Sequence, residues 1–555
     1  MQQSSIFWLR VWFFLLLLMF GWVFYVTAWV TEDAFITFRV IDNLINGYGP
    51  RWNIDERVQV FTHPLWMFLL VPIVAVCGDP YWAAIGLSAA CLVLFLVLVF
   101  RLLGGIHFSS LLVAFCFLAS TAFVDYSSSG LENPLTHVFL ALFLLKWVSG
   151  KKDYFGFFLL FSLLYLNRPD SIIFVVPPLL FLIYADFSAG GVRFLRAAAP
   201  AVLAGLAPML LWLIFSLVYY GAFVPNTAIA KVQNGLDIYQ SIHQGWNLIQ
   251  YSLENDVGTL VFIGLGFCFG FLNKRYISFS FGILLYFFYL FYVGGDYMAG
   301  RFLTAPLVAS LLIFGLVATG AIQKNKNFGY YGLALGLIFF ATKIQAYFSL
   351  NYHDNPYIQK SGVADERGYY YPFLGVRPTL FYGAWLRHDA FREGLALRDY
   401  TGKYLVRCNV GMTPYAAGTD YVFIDPLALT DGFIARLPAA SGSRVGHYER
   451  SIPVGYLESR ISYKNLLQEP ALRRLWDDTH IVLRGDIFTW ERFAAIFRLN
   501  FQKELYLTNI KNRDEIHFNG RVYKKTPQTC LGNGVFVAVD ASTLQIIKKK
   551  DLGLD

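Results

Sequence analysis

The chain has 555 residues, 56% of them hydrophobic and only 15% charged, with 18% aromatic residues and a mean hydropathy of +0.49. Soluble domains carry about 25% charged residues, so an ordinary soluble enzyme, a disordered chain and a nucleic-acid binder working through a basic surface are excluded. The basic excess, 45 against 37, is too small to specify a polyanionic partner; placement of the charges says more.

Residues 1–350 hold 33 of the 82 charged residues and the last 205 hold 49. This predicts an α-helical polytopic membrane domain over 1–350 and an extracytoplasmic soluble α/β domain over 351–555. A spanning helix needs about 20 apolar residues. The first candidate is 11–30, read as an anchor because many more follow. Others centre on 81–100, 107–124, 134–149, 154–166, 172–185, 199–219, 257–272, 277–293, 303–322 and 329–349.

The excess of Lys and Arg in cytoplasmic loops fixes the orientation. With the N-terminus inside and 63–77 not crossing, Arg101, Lys146, Lys151, Lys152, Arg193, Arg196, Lys274, Arg275, Lys324 and Lys326 fall on the cytoplasmic side. Eleven spans then place 351–555 outside, in the periplasmic or extracellular space, and the protein in the cytoplasmic membrane. Segment 63–77 is expected to be re-entrant or interfacial, with Pro64 and Pro72 suited to irregular backbone buried at membrane depth.

Unusual residues gather in the outer loops. The first, 31–80, opens with TEDAFITFR. Glu32 and Asp33 stand together there, and mutual repulsion with partial burial should raise one pKa. Phe35, Ile36 and Phe38 fit an amphipathic helix lying on the bilayer beside Arg39, and the loop runs on to His63. The second loop, SSSGLENPL, brings Glu132 ahead of Pro134; the third, NRPDS, brings Arg168 and Asp170. YYGAFVPNTAIAKV carries Asn226 and Lys231, and GGDYMAGRF carries Asp296 and Arg301. Each has a plainer reading: helix-start acids, a local ion pair, or snorkelling charges at turns.

Five loops bringing acids and bases to one face suit a transferase using a lipid-phosphate sugar donor. Cations would meet the leaving phosphate, a carboxylate would take the acceptor's proton, and an apolar groove would hold the lipid tail. Other chemistries lack their signatures: there is no HExxH, CxxC or GxxxxGK[ST], and the histidines do not cluster. GLGFCFG lies in an apolar run and reads as helix packing. An acidic pair can bind Mg or Mn through oxygen or act without a metal. Cys408 and Cys530 are candidates for one disulfide in an oxidising compartment. In the outer domain, 421–429 and 534–540 read as strands, and 469–478 and 491–500 as helices.

Residues 31–66, TEDAFITFRVIDNLINGYGPRWNIDERVQVFTHPLW, resemble the first outer loop of the mycobacterial-type terminal arabinofuranosyltransferase family. SGLENPL, YGAFVPNTAIAKV and GGDYMAGRFLTAPL resemble its later loops in the same order, and 425–459 is similar to a segment of its relatives. The resemblance implies the GT-C fold of polyprenyl-phosphate sugar transferases, with the acidic pair after the first span as catalytic site. That pair is often two aspartates; here it is Glu32 and Asp33. The expected donor is a polyprenyl-phosphoryl arabinofuranose and the acceptor a glycan or glycoprotein. Asp33 is expected to be the general base or the carboxylate that orients the acceptor hydroxyl, and Glu32 to assist it or to bind the sugar. Arg39, Arg168, Lys231 and Arg301 are expected phosphate ligands, and Glu132, Asp296, His63 and Asn226 sugar or acceptor ligands. Alternatives are a transferase moving mannose or aminoarabinose to protein or lipid A, a transporter, or a non-catalytic glycan-assembly protein.

Overall fold

A computed structural model describes residues 2–232, 238–324, 326–348, 361–398, 404–440, 443, 446–506, 515–518, 521–524, 537–540 and 545–547. The expected boundary near 351 and Cys530 lie outside these residues. The chain divides into two compact units that alternate along the sequence. The first comprises Met1–Thr31, His63–Leu210 and Ile238–Ala384; the second comprises Glu32–Thr62, Leu211–Asp237 and Trp385–Asp555. Most of the first outer loop therefore belongs with the C-terminal residues, where composition alone suggested one cut.

The first unit is helical. Among the described residues, Phe7–Thr27, Pro80–Leu102, Val176–Tyr220 and Arg301–Gly320 are long and apolar enough to cross a membrane. Val176–Tyr220 runs 45 residues, about 68 Å at 1.5 Å per residue, and breaks at Gly191, whose φ of 56° is non-helical. Both expected spans 172–185 and 199–219 fall largely within it. Ile238–Asn255 and Val257–Phe271 form a pair bent by 108°. Six further apolar helices, including Pro64–Cys77, have 10–17 residues, or about 15–26 Å. These are shorter than the roughly 30 Å hydrocarbon core, so among the described residues length and apolarity by themselves support four or five of the expected eleven spans.

Local chemistry sets the helix ends. Asp79 accepts from the N–H groups of Tyr81 and Trp82 ahead of Pro80, and Asp153 accepts from Gly156. Asn133–Val148 and Tyr154–Asn167 are joined by five residues. Glu132 and Arg168 therefore meet at one end of this pair, and Lys146 meets Asp153 at the other. The same far end gathers Arg275, which donates to the Val148 carbonyl at 2.7 Å, and Lys152, paired with Asp186. Bases that the charge rule puts on one side are thus neighbours.

The second unit combines helices with a mixed sheet. Strand Tyr404–Val406 pairs parallel with Val422–Ile424 and antiparallel with Val537–Asp540, which pairs antiparallel with Gln545–Ile547. Glu515–Phe518 and Arg521–Lys524 form a separate hairpin. Helices Pro470–Arg484 and Trp490–Phe501 appear where the sequence pattern placed them. Helix Ala34–Ile45 departs from expectation. Phe35, Phe38, Val40 and Ile41 are all buried, and Phe35 packs edge-on against Tyr415 at 5.4 Å between ring centroids. It is a core helix of this unit, because its Arg39 face is buried as well.

GLGFCFG packs as a helix. A Cβ on Gly266 would collide with the main chain of Ser310, and one on Gly270 would meet Ser280 and Ile313. Gly266→Leu should therefore destabilise the protein by about 3 kcal/mol or more, read as a lowered unfolding midpoint in detergent; an unchanged midpoint would contradict this close approach.

Candidate functional site

Two charged centres stand out, one in each unit. In the second unit, the Glu32 Oε1 accepts the N–H of Gly411 at 2.8 Å and that of Met412 at 3.0 Å. Glu32 is partly buried. Burial raises its carboxyl to about 7, and neighbouring Asp33 adds to the rise; the Met412 and Gly411 N–H groups and Arg407 pull it back. Arg407 is itself paired with Glu393 at 2.7 Å. Asp33 occupies the N-cap position of Ala34–Ile45, but its side chain makes no capping hydrogen bond.

Gly411 was not visible as a functional position in the sequence. A Cβ there would strike both the main-chain oxygen and the Oε1 of Glu32. Only glycine lets this loop close on the carboxylate.

Two residues expected to contact substrate have other employment. Arg39 is 1% exposed. Its Nε donates to the Trp52 carbonyl, Nη1 to those of Pro414 and Gly418, and Nη2 to that of Tyr421. Its guanidinium also lies over the Trp52 ring, 4.9 Å from the centroid. Four of its five N–H groups serve main-chain carbonyls, so Arg39 is a clamp and not a phosphate ligand. Asn226 likewise donates to the carbonyls of Ala428, Leu429 and Asp431 at 2.9, 3.0 and 3.3 Å. It fixes a loop in which Ala428 has a φ of 63°, which favours glycine. That occupation replaces the expected sugar contact. Lys231 is partly buried on the short helix Asn226–Val232.

In the first unit, Glu132 is 2% exposed. Its Oε1 accepts from Arg168 at 3.4 Å and from Arg301 at 3.3 Å, and His63 Nδ1 lies 3.3 Å from Oε2 without hydrogen-bonding geometry. Arg168 also donates through Nε to both oxygens of Asp170, at 2.9 and 3.1 Å, and Arg301 stands 3.7 Å from Asp296. Burial pushes Glu132 towards protonation. Arg301 foremost, with His63 and Arg168, more than reverses this and holds it at about 2. Burial lowers His63; Glu132 opposes that, and the two arginines add to it. Five of the nominated residues, His63, Glu132, Arg168, Asp296 and Arg301, thus meet in one cluster.

The sequence reading missed a neighbouring buried pair of this unit. Arg367 donates to Asp125 at 2.7 Å, and burial raises Asp125 to about 7 against the pull of Arg367. Three charged residues in VADERGYYYPF just ahead of an aromatic run were the available signal. Among the described residues, no group of three or more His, Cys, Asp and Glu forms a metal-holding set.

The architecture and charge placement define a transmembrane, mostly helical protein with an acidic pair directly after its first long apolar helix. No family model matches the chain. It is 24% identical over 522 residues to a terminal β-(1→2)-arabinofuranosyltransferase of Corynebacterium glutamicum, covering 77% of this chain and 74% of that protein. It is 25% identical over 534 residues to the protein of the same name from Mycobacterium tuberculosis, covering 78% and 83%. The chain resembles the terminal arabinofuranosyltransferases, and the two likenesses support its membership of the arabinofuranosyltransferase family.

Two outcomes follow from the geometry. The depressed Glu132 pKa adds stability that is complete above about pH 4.5 and is lost as pH falls through about 2. This is about 3 kcal/mol. Glu132→Gln should lower stability at pH 7 by at least that amount and flatten the acid limb of the unfolding curve; an unchanged curve would remove the charge cluster as a stabiliser. Gly411→Ala should displace Glu32, lower the unfolding midpoint because the added methyl meets the Glu32 main chain, and cut turnover of the protein that remains folded at least tenfold. Full turnover in that variant would show that Glu32 needs no such seat.

Proposed function

We propose that this protein is a membrane glycosyltransferase of GT-C type that moves D-arabinofuranose from a polyprenyl-phosphate donor to a glycan or glycoprotein acceptor on the outer face of the cytoplasmic membrane. The observation that carries this reading is the acidic pair. Glu32 is seated on two N–H groups, titrates near neutrality and stands beside Asp33. The names of the relatives supply the sugar.

In the proposed reaction the acceptor hydroxyl oxygen forms a bond to the anomeric carbon of the donor. The bond from that carbon to the phosphate oxygen breaks, and polyprenyl phosphate leaves with one more negative charge. Asp33 takes the acceptor's proton as general base. Glu32 assists by orienting the hydroxyl and by sharing that proton, since two adjacent carboxylates resist ionising together. No step is routed through a metal ion.

Arg168, Arg301 and Lys231 remain our proposed phosphate cations, with Glu132, Asp296 and His63 as sugar or acceptor contacts. In the first unit the three acids Glu132, Asp170 and Asp296 already face two arginines. An arriving phosphate must therefore compete with carboxylates. Arg301 meets Glu132 and Asp296 at 3.3 and 3.7 Å, longer than the roughly 2.7–2.9 Å of a strong charge-assisted bond. A phosphate of better geometry would draw it away.

The test is transfer from synthetic polyprenyl-phosphoryl arabinofuranose to a short arabinofuranoside, with the mannosyl donor in parallel. Product from the arabinosyl donor alone, abolished by Asp33→Asn in a folded protein, is expected. Turnover retained in that variant would remove Asp33 from the mechanism, and product from the mannosyl donor alone would overturn the sugar. Because Glu32 shares in the proton transfer, the rate should inflect near pH 7, where burial places its carboxyl, and Glu32→Gln should remove that inflection. A flat wild-type profile from pH 5.5 to 8.5 would separate Glu32 from the proton transfer.

A further inference from the structure

Helix Trp490–Phe501 has two unlike faces. Arg492, Ala495, Ile496 and Leu499 are buried. Trp490, Phe493, Phe497 and Phe501 are exposed, and so is Phe488 just ahead of the helix. At 3.6 residues per turn the four aromatic side chains of the helix fall within about 80° of arc. Trp490 is 87% exposed and Phe488 81%. Soluble surfaces scatter single apolar residues and seldom line up five large ones.

The buried face shows where this stripe lies. Arg492 donates through Nη2 to the carbonyl of Tyr219 at 3.0 Å, and Asn500 donates to that of Gly221 at 2.8 Å. A Cβ on Gly221 would collide with Val482 and press on Ile496. All of these residues belong to the second unit. Tyr219 and Tyr220 end the long apolar helix Val176–Tyr220. Leu211, Ile214 and Phe215, in its last turns, are exposed apolar residues. The aromatic helix is therefore pinned, by hydrogen bonds and close packing, to the point where a membrane-crossing helix ends.

We propose that Phe488 and helix Trp490–Phe501 form an interfacial helix that seats its aromatic stripe in the bilayer leaflet from which Val176–Tyr220 emerges. The occupant is the lipid leaflet because the helix that carries the stripe is hydrogen-bonded to the end of an apolar helix whose last turns also expose large apolar side chains. Trp and Phe are also the residues that settle at the level of lipid headgroups. The Arg492 and Asn500 contacts hold the aromatic helix at the end of Val176–Tyr220. This inference rests on the chain being a membrane protein and is independent of the sugar transferred.

The test uses the full chain in nanodiscs of phosphatidylethanolamine and phosphatidylglycerol. A photoreactive p-benzoylphenylalanine replaces Phe497, Phe501 or, as comparison, the exposed Glu491 about 100° round the helix. Irradiation should give phospholipid adducts at 497 and 501 at least fivefold more abundant than at 491. In parallel, lipids brominated near the headgroup should quench tryptophan emission of the wild type more than that of Trp490→Phe. Cross-links joining two protein copies, or adducts absent at both 497 and 501 with no difference in quenching, would overturn the proposal.

Discussion

A carboxylate removed from water stays ionised only where cations meet it, and at Glu132 two guanidiniums do so. Much of the first unit is arranged to make that meeting happen. Arg168 arrives at the end of the helix that returns antiparallel to the one Glu132 starts. Arg301 arrives ahead of the helix Thr304–Lys324, and His63 at the start of Pro64–Cys77. Four helix ends converge because one buried charge needs partners and each partner sits where a helix leaves off. Asp170 and Asp296 then complete the neutralisation of the two arginines. The apolar bodies of these helices have no comparable directional demand.

Glu32 is the opposite case for the same residue type. Its donors are main-chain N–H groups, its neighbour Asp33 carries like charge, and the nearest cation, Arg407, is shared with Glu393. One glutamate is held near 2 and the other near 7. Paired environments that push titrations apart separate electrostatic roles from proton-transfer roles. The first is a fixed charge; the second is able to exchange a proton under ordinary conditions. Under the proposed function, this difference assigns the proton transfer to the acidic pair and a fixed electrostatic role to the more heavily charged cluster.

The sequence carried the mostly helical, apolar character of the chain through hydropathy and carried the clustering of Glu132, Arg168, Asp296 and Arg301 through the distribution of charge between loops. Helix bending and shortening were not legible. Whether 257–271 continues or breaks from 238–255 depends on tertiary packing, and apolar composition cannot register a 108° bend. The roles of Arg39 and Asn226 were hidden for another reason. Their partners are main-chain carbonyls, which every residue has, at sequence separations of up to 382 and 205. A polar side chain that serves distant backbone looks, in sequence, like one that awaits a ligand. Gly411 was hidden in the same way, since its importance is the room it leaves for Glu32.

The alternation of the two units sets an order on the ribosome. Arg39 and helix Ala34–Ile45 are translated early, yet the Tyr421 carbonyl that Arg39 binds comes 382 residues later. At roughly 5–20 residues per second this interval is about 20–80 s. Throughout it Phe35, Phe38 and a guanidinium destined for the interior lack their native cover, while the intervening helices are being synthesised. The acidic pair at the head of this segment is therefore assembled late, only when the last third of the chain arrives to supply Gly411 and Met412.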